Sequence, residues 1–188
     1  MTAKAKYTAK EAMEKLKEGN KKYLSAKTSP GDISVDIREK TAKEGQFPYA
    51  IIVTCSDSRV VPESIFSAGI GELFVIRVAG FVIDKHQLGS IEYAAGHLGT
   101  PLVVVMGHTQ CGAVGAALES GGHDEGYVGS IISEIKKAIG NEKDPDKAVE
   151  KNVRHSEAAV KESLGDALPI TVVGAVYRID SGEVEFLE

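Results

Sequence analysis

The fold is decided by the stretch Tyr49-Ala-Ile-Ile-Val-Thr-Cys-Ser-Asp-Ser-Arg59, in which an apolar segment runs directly into chemically reactive side chains. Its first half is apolar and β-branched, which is typical of a strand buried on both faces. Its second half sets a thiol, a carboxylate and a guanidinium at alternate positions, Cys55, Asp57 and Arg59. If the backbone stays extended there, alternate side chains project together, and the three groups belong to one site.

A second apolar strand ends in a similar way further along the chain, where Leu102-Val-Val-Val-Met106 runs into Gly107-His-Thr-Gln-Cys111. Open α/β sheets place their sites at the carboxyl ends of the strands. His108 leaves the strand end, and Cys111 lies near the start of the next helix, where the helix dipole stabilises a thiolate. We therefore predict that Cys55, His108 and Cys111 meet at one edge of a sheet.

The remaining pattern predicts an α/β fold, with a mainly parallel central sheet flanked by helices and an antiparallel C-terminal edge strand. Thr8-Ala-Lys-Glu11 is typical of a capping box and opens an N-terminal amphipathic helix, whose apolar face we expect to need a partner surface. We predict one domain over residues 1–188, with a helical arm at 1–45 and a zinc-binding α/β core at 46–188. Further predicted helices lie near 35–43, 62, 87–98, 111–118, 131–139 and 149–164, further strands at 73–78, 170–177 and 184–187, and turns at 29–32 and 121–126.

Composition excludes several classes of protein. The net charge of -5 without a basic stripe argues against nucleic-acid binding. The chain shows neither the apolar region of a signal peptide nor a run of membrane-spanning length, so we expect a cytoplasmic protein that does not bind membranes. Its only cysteines are Cys55 and Cys111, and in such a protein this usage favours metal binding or catalysis over a structural disulfide.

The donor set of two thiolates and an imidazole suits Zn²⁺, which binds Cys and His tetrahedrally and, in catalytic sites, keeps its fourth position for water. An adjacent Arg59 would keep Asp57 ionised and oriented. That carboxylate can either accept a hydrogen bond from hydroxide on the zinc or bind the zinc itself and close the site. The residues permit both roles.

Three motifs together resemble the β-class carbonic anhydrases: Cys55-Ser-Asp-Ser-Arg59, Gly107-His-x-x-Cys-Gly112 and Gly89-Ser-Ile-Glu-Tyr-Ala94. The resemblance implies reversible hydration of carbon dioxide to bicarbonate, on one Zn²⁺ per subunit held by Cys55, His108 and Cys111, with Asp57 and Arg59 as a catalytic dyad. It further implies a homodimer or a higher oligomer, in which a neighbouring subunit completes the pocket. The residues that it assigns to substrate binding are Gln46, Phe74, Tyr93 and Gly112.

The chain departs from the family pattern at two points. Arg77 is followed by Val78, where the family often has Asn, and this changes the rim of the pocket. The chain also has no Trp, so it lacks the tryptophan associated with a bicarbonate-regulated closed state, and we expect the open arrangement at neutral pH. The alternatives are hydrolysis of carbon disulfide or carbonyl sulfide on the same zinc, a non-catalytic zinc-binding relative, and a thiol redox protein.

Overall fold

The structure is a computed structural model that describes residues 5–28, 31–120 and 126–188. Its strands are β1 (Ala50–Thr54), β2 (Leu73–Arg77), β3 (Leu102–His108), β4 (Thr171–Tyr177) and β5 (Val184–Phe186). Its helices are α1 (Ala9–Ser25), α2 (Val35–Glu44), α3 (Pro62–Ile65), α4 (Lys85–His97), α5 (Gly112–Glu119), α6 (Gly126–Ile139) and α7 (Pro145–Leu164). These elements confirm the predicted order, whereas the turns predicted at 29–32 and 121–126 lie partly outside the described residues.

The strands form one sheet in the order β2-β1-β3-β4-β5. Pairing is parallel between β2, β1, β3 and β4, and antiparallel between β4 and β5, which confirms the predicted edge strand. β1 and β3 are direct neighbours, and their register pairs Thr54 with Met106. Their carboxyl ends therefore lie side by side, so the residues that follow β1 and those that close β3 meet at the same edge.

Side chains from alternate positions of the central strands enter two different hydrophobic cores. Val53 and Val105 belong to the core that packs against α4 to α7, whereas Ile52 and Val104 belong to the core that packs against α1 and α3. All four are fully buried. A strand covered on both faces needs apolar residues at every position, which explains the continuous apolar runs in the sequence.

Helix α1 begins with the predicted capping box. The Thr8 hydroxyl accepts a hydrogen bond from the Glu11 N–H, and the Glu11 carboxylate accepts one from the Thr8 N–H. Ala12 and Leu16 are fully buried in the core on the same chain's sheet. Part of the apolar face of α1 is therefore covered within the chain, whereas Leu24 of the same helix is 46% exposed, so the expectation of a partner surface stays a prediction. The boundary predicted at residue 45 stays a prediction. No helix in the described ranges is long and apolar enough to cross a membrane.

Candidate metal centre

Three potential ligands converge at the carboxyl ends of β1 and β3. Cys55 directly follows β1, His108 is the last residue of β3, and Cys111 is the N-cap of α5. Their sulfur and nitrogen ligand atoms all lie within 4.8 Å of one another, and all three residues are buried. Ligands at zinc distances of 2.0–2.3 Å are roughly 3.5–4 Å apart in a tetrahedral site. The cluster is thus close to the size that a tetrahedral zinc site requires.

The His108 ring is oriented to present a free lone pair. Its Nδ1 lies 2.9 Å from the Thr109 carbonyl oxygen, which can only accept, so Nδ1 carries the proton. In the neutral ring Nε2 then carries the free lone pair, and in the described chain it is a buried polar atom without a hydrogen-bond partner. An orphaned buried nitrogen costs free energy unless something binds it. A metal ion is the partner that this lone pair and the two thiols fit.

The two thiols lie so close together that the proton of one affects the other. The hydrogen bond from Cys111, followed by that from the Gly80 N–H, lowers the pKa of Cys55 to about 4. The bond to Cys55, together with burial, raises the pKa of Cys111. One proton therefore leaves the pair readily and the second is held tightly. A cation that takes the place of this second proton converts both groups into thiolate ligands.

Asp57 and Arg59 form a two-point ion pair beside the cluster. Arg59 Nε donates to Asp57 Oδ1 at 2.9 Å, and Nη2 donates to Oδ2 at 2.7 Å. The hydrogen bond from the Arg59 side chain is the main reason why the pKa of Asp57 lies well below its usual value. Asp57 Oδ2 is also 4.0 Å from His108 Nε2. The carboxylate therefore lies next to the ligands while remaining bound to Arg59, which is the open arrangement.

The backbone that carries this pair is a turn, so the condition of an extended segment, under which the alternate positions were grouped, is not met. Val60 N–H donates to the Asp57 carbonyl, and Arg59 N–H donates to Asp57 Oδ1 at 2.9 Å. The Asp57 carboxylate therefore receives three hydrogen bonds from Arg59, one of them from the main chain. A turn brings residues two apart into contact from the same side, which is why the pair still forms.

Known proteins show which family builds this site. The sequence model of the family described as Carbonic anhydrase matches residues 50–184. Carbonic anhydrase 2 of Mycobacterium tuberculosis is 38% identical over 186 residues, covering 91% of this chain and 89% of the relative. A carbonic anhydrase of Mycolicibacterium smegmatis is 34% identical over 188 residues, covering 93% and 91%.

Solved structures agree with these sequence relatives. The β-carbonic anhydrase CcaA is 27% identical with a TM-score of 0.69, over 94% of this chain and 95% of that one. A Coccomyxa β-carbonic anhydrase in complex with acetazolamide is 29% identical with a TM-score of 0.66, over 80% and 81%. This chain belongs to the β-class carbonic anhydrases. These are zinc enzymes that hydrate carbon dioxide, and the cluster of Cys55, His108 and Cys111 fits that metal.

Two residues of this β-carbonic anhydrase hold the backbone of the site and were not predicted. Arg77 donates from Nε to the Cys55 carbonyl at 3.1 Å and from Nη2 to the Asp57 carbonyl at 2.7 Å. Gln110, between His108 and Cys111, has a φ of +57° and accepts a hydrogen bond from Arg59 at its carbonyl. A non-glycine residue with positive φ is strained, and such strain often occurs at functional sites. The sequence feature that could have identified Arg77 is its charge at the carboxyl end of the otherwise apolar strand β2.

The predicted substrate residues lie in different places. Gly112 is the first residue of α5 and follows Cys111 directly. Phe74 of β2 and Tyr93 of α4 contact each other, with ring centroids 6.2 Å apart, and Phe74 pairs in register with Ile51 rather than with the end of β1. Gln46 is exposed and precedes β1, at the opposite end of that strand from the cluster. One chain therefore does not bring Gln46 to its own metal centre.

Proposed function

We propose that this β-carbonic anhydrase uses Cys55, His108 and Cys111 to hold one zinc ion per subunit and the Asp57–Arg59 pair to aim the nucleophile at carbon dioxide. The observation that carries the proposal is the position of Asp57, two-point bonded to Arg59 and 4.0 Å from the orphaned His108 Nε2. A pair with only a structural role has no reason to lie against the free lone pair of a buried ligand.

The chemistry divides between the metal and the protein. Zinc, when bound, lowers the pKa of water so that hydroxide is available near neutral pH, a property for which carbonic anhydrases are the standard example. Asp57 is held ionised by Arg59, so it is purely an acceptor. It would accept the hydrogen bond of the nucleophile's O–H and leave a lone pair facing the substrate carbon. Arg59 keeps that acceptor in one orientation.

The substrate oxygens need donors. Gly112 is at the first position of α5, where a backbone N–H has no intrahelical partner and the helix dipole favours negative charge. We assign to it a donor role toward the oxygen that becomes negative. The aromatic pair Phe74 and Tyr93 would supply apolar walls, and Gln46 would donate its amide to the site of a neighbouring subunit.

That assignment of Gln46 requires a homodimer or a higher oligomer, and the surface near β2 supports it. β2 is an edge strand, and Leu73, Phe74 and Val75 on it are only partly buried. The side chain of Tyr93 beside them is 48% exposed, and Phe47, next to Gln46, is half exposed. An unpaired edge strand flanked by apolar side chains is a surface that a second copy of the chain would cover.

Sedimentation of the wild type and of two tyrosine variants tests this assembly. We expect a dimer or larger species for the wild type, and dissociation for Tyr93→Asp. Tyr127 is 96% exposed on α6, and Tyr127→Asp is the matched control that should leave the dimer intact. A wild-type monomer with full activity would refute the dimer. The predicted cytoplasmic location stays a prediction.

The reaction itself is tested by stopped-flow hydration of carbon dioxide, with the metal content of the same sample measured by mass spectrometry. Hydrolysis of carbonyl sulfide and carbon disulfide is assayed in parallel. We expect about one zinc per chain and rapid hydration of carbon dioxide. A fully zinc-loaded protein that hydrolyses the sulfur compounds and leaves carbon dioxide unchanged would overturn the proposed substrate. A loaded protein inactive on all three would be a non-catalytic relative.

A further inference from the structure

Helix α7 carries two polar side chains on its buried face, within a row of apolar residues. Asn152 is 1% exposed and Ser156 is 2% exposed, and both lie one helical turn apart among the core residues Val149, Val153 and Val160. A buried amide or hydroxyl costs free energy unless it is hydrogen-bonded. Neither residue belongs to the site described above, so the question is what they hold.

Both side chains bond to one short segment far away in sequence, the Gly80 turn (Ala79–Phe81). Asn152 Nδ2 donates to the Gly80 carbonyl at 2.8 Å, and Ser156 Oγ donates to the Phe81 carbonyl at 3.2 Å. The two donors of α7 thus bind two consecutive carbonyls. This arrangement anchors two adjacent peptide units of the turn on the side that faces α7.

The Gly80 turn has a backbone conformation that needs such anchoring. Gly80 has a φ of +67° and Phe81 a φ of +45°, so both residues are in the left-handed region. Phe81 pays a steric cost there because it has a Cβ. A Cβ at Gly80 would lie 2.6 Å from Cδ1 of Ile135 and 3.2 Å from Cβ of Ala113, so a larger residue would have to displace these neighbours as well as adopt the left-handed conformation. Strained backbone of this kind persists where its surroundings hold it in place.

The opposite side of the same turn contacts the metal centre. The Gly80 N–H donates to Cys55 Sγ at 3.4 Å, a normal distance for a hydrogen bond to sulfur. Gly80 therefore lies between α7, which binds its carbonyl, and Cys55, which binds its N–H. The N–H and the carbonyl belong to different peptide units that meet at the Gly80 Cα, and the φ of +67° and ψ of +11° at Gly80 set the direction of the N–H relative to the anchored carbonyl.

We propose that Asn152 and Ser156 are positioning residues of the zinc site, which hold the Gly80 turn so that its N–H donates to the Cys55 thiolate. This inference rests on the proposed role of Cys55 as a ligand. A hydrogen bond to a thiolate withdraws negative charge from the sulfur, and partners of metal ligands also fix the ligand's orientation. The two helix residues would thereby control both how tightly the metal binds and how much charge it receives from Cys55.

The experiment follows the metal–sulfur bond directly. Zinc is replaced by Co²⁺, and the thiolate-to-cobalt charge-transfer absorption is recorded for the wild type, Asn152→Ala and Ser156→Ala. Zinc affinity of each protein is measured by competition with a chelator. The matched control is Asn20→Ala, because Asn20 is also buried and its amide also donates to backbone carbonyls, those of Ile65 and Gly182, which are not part of the metal centre.

For Asn152→Ala we expect the charge-transfer band at longer wavelength, because a thiolate without its hydrogen bond gives up electrons more easily. Zinc affinity should fall by about 10- to 100-fold, as is typical when a ligand's own partner is removed. Ser156→Ala should change both quantities in the same direction by less. Asn20→Ala should leave the band and the affinity at their wild-type values even where it lowers thermal stability.

Wild-type band position and affinity in Asn152→Ala would overturn the inference, as would an equal shift in Asn20→Ala, which would show general loosening of the fold. If Asn152→Ala does not fold, Ser156→Ala decides by the same criteria. A wild-type protein that binds Co²⁺ without any thiolate band would overturn the ligand assignment itself, and the inference with it. If the wild type shows the thiolate band, but the variants keep its band position and zinc affinity, the inference is overturned while the ligand assignment stands.

Discussion

Replacing Arg59 by alanine is the sharpest test of the catalytic dyad, because Arg59 contacts Asp57 and the Gln110 carbonyl but none of the three predicted zinc ligands. The substitution removes both side-chain hydrogen bonds that orient the Asp57 carboxylate. It leaves Cys55, His108 and Cys111 unchanged. We therefore expect activity to fall while zinc content stays at the wild-type level.

The size of the loss follows from two contributions. A freed Asp57 side chain can occupy three staggered rotamers, which costs about threefold in the population of the productive one. Displacing the acceptor by about 1 Å from the position that Arg59 fixes costs up to about 100-fold in rate. The Arg59 side chain is 46% exposed, so solvent can partly replace its hydrogen bonds to Asp57. We therefore expect kcat/KM to fall by at least about 3-fold and at most about 100-fold.

Stopped-flow hydration of carbon dioxide measures this change, and thermal unfolding and metal analysis are run on the same samples. Arg154→Ala is the matched control, because Arg154 also contacts one carboxylate through two nitrogens, both at Glu150 Oε1, and its side chain is equally exposed at 46%. We expect no change in activity for the control and a stability loss of at most about 1 kcal/mol for both variants. Arg59→Lys should be intermediate, because lysine keeps the charge and loses the planar fork.

Near wild-type turnover in Arg59→Ala would show that the pair is only structural. Loss of zinc in parallel with activity would contradict the claim that Arg59 acts through Asp57 alone. An equal loss of activity in Arg154→Ala would mean that the assay reports general stability. Each outcome is distinguishable because rate, metal content and unfolding are measured on one preparation.

Three further predictions concern the metal, the backbone and pH. Cys111→Ser should lower zinc well below one per chain in metal analysis, and equal zinc in variant and wild type would exclude Cys111 as a ligand. Gln110→Val should unfold in urea with about 1–2 kcal/mol less stability than Gln110→Gly, because a β-branched residue fits positive φ poorly; equal stabilities would show that the conformation is unstrained. The hydrogen bond from Lys151, followed by those from backbone N–H groups, lowers the pKa of Glu142 from 4.5 to about 2. Its stabilising contribution is therefore complete above pH 4.5 and is lost as the pH falls through 2, so the stability gap between wild type and Glu142→Gln should narrow on acidification, and a constant gap would refute it.

The amino-acid sequence alone was sufficient to predict the α/β fold, the sheet edge and the clustering of the three candidate ligands. Apolar runs without alternation require strands buried on both faces, and parallel strands bring their carboxyl ends together. Cys55 and His108 follow those runs directly, so their meeting needed no knowledge of loops. The capping box at Thr8 was equally local, since its hydrogen bonds join residues three apart.

The tertiary structure decided what depends on residues distant in sequence or on the path of a loop. The sequence left open whether the backbone at Asp57 is extended or a turn, because the pattern of alternate side chains does not specify φ and ψ beyond the strand. Leu16 of α1 proved to be covered by its own sheet, which an amphipathic pattern cannot distinguish from a partner surface. Asn152 and Gly80 are 72 residues apart in sequence, and only the packing of α7 against the Gly80 turn brings the amide to the carbonyl. Local pattern determines which face of an element is buried, whereas the closing of loops over that face determines which polar groups can reach the metal centre.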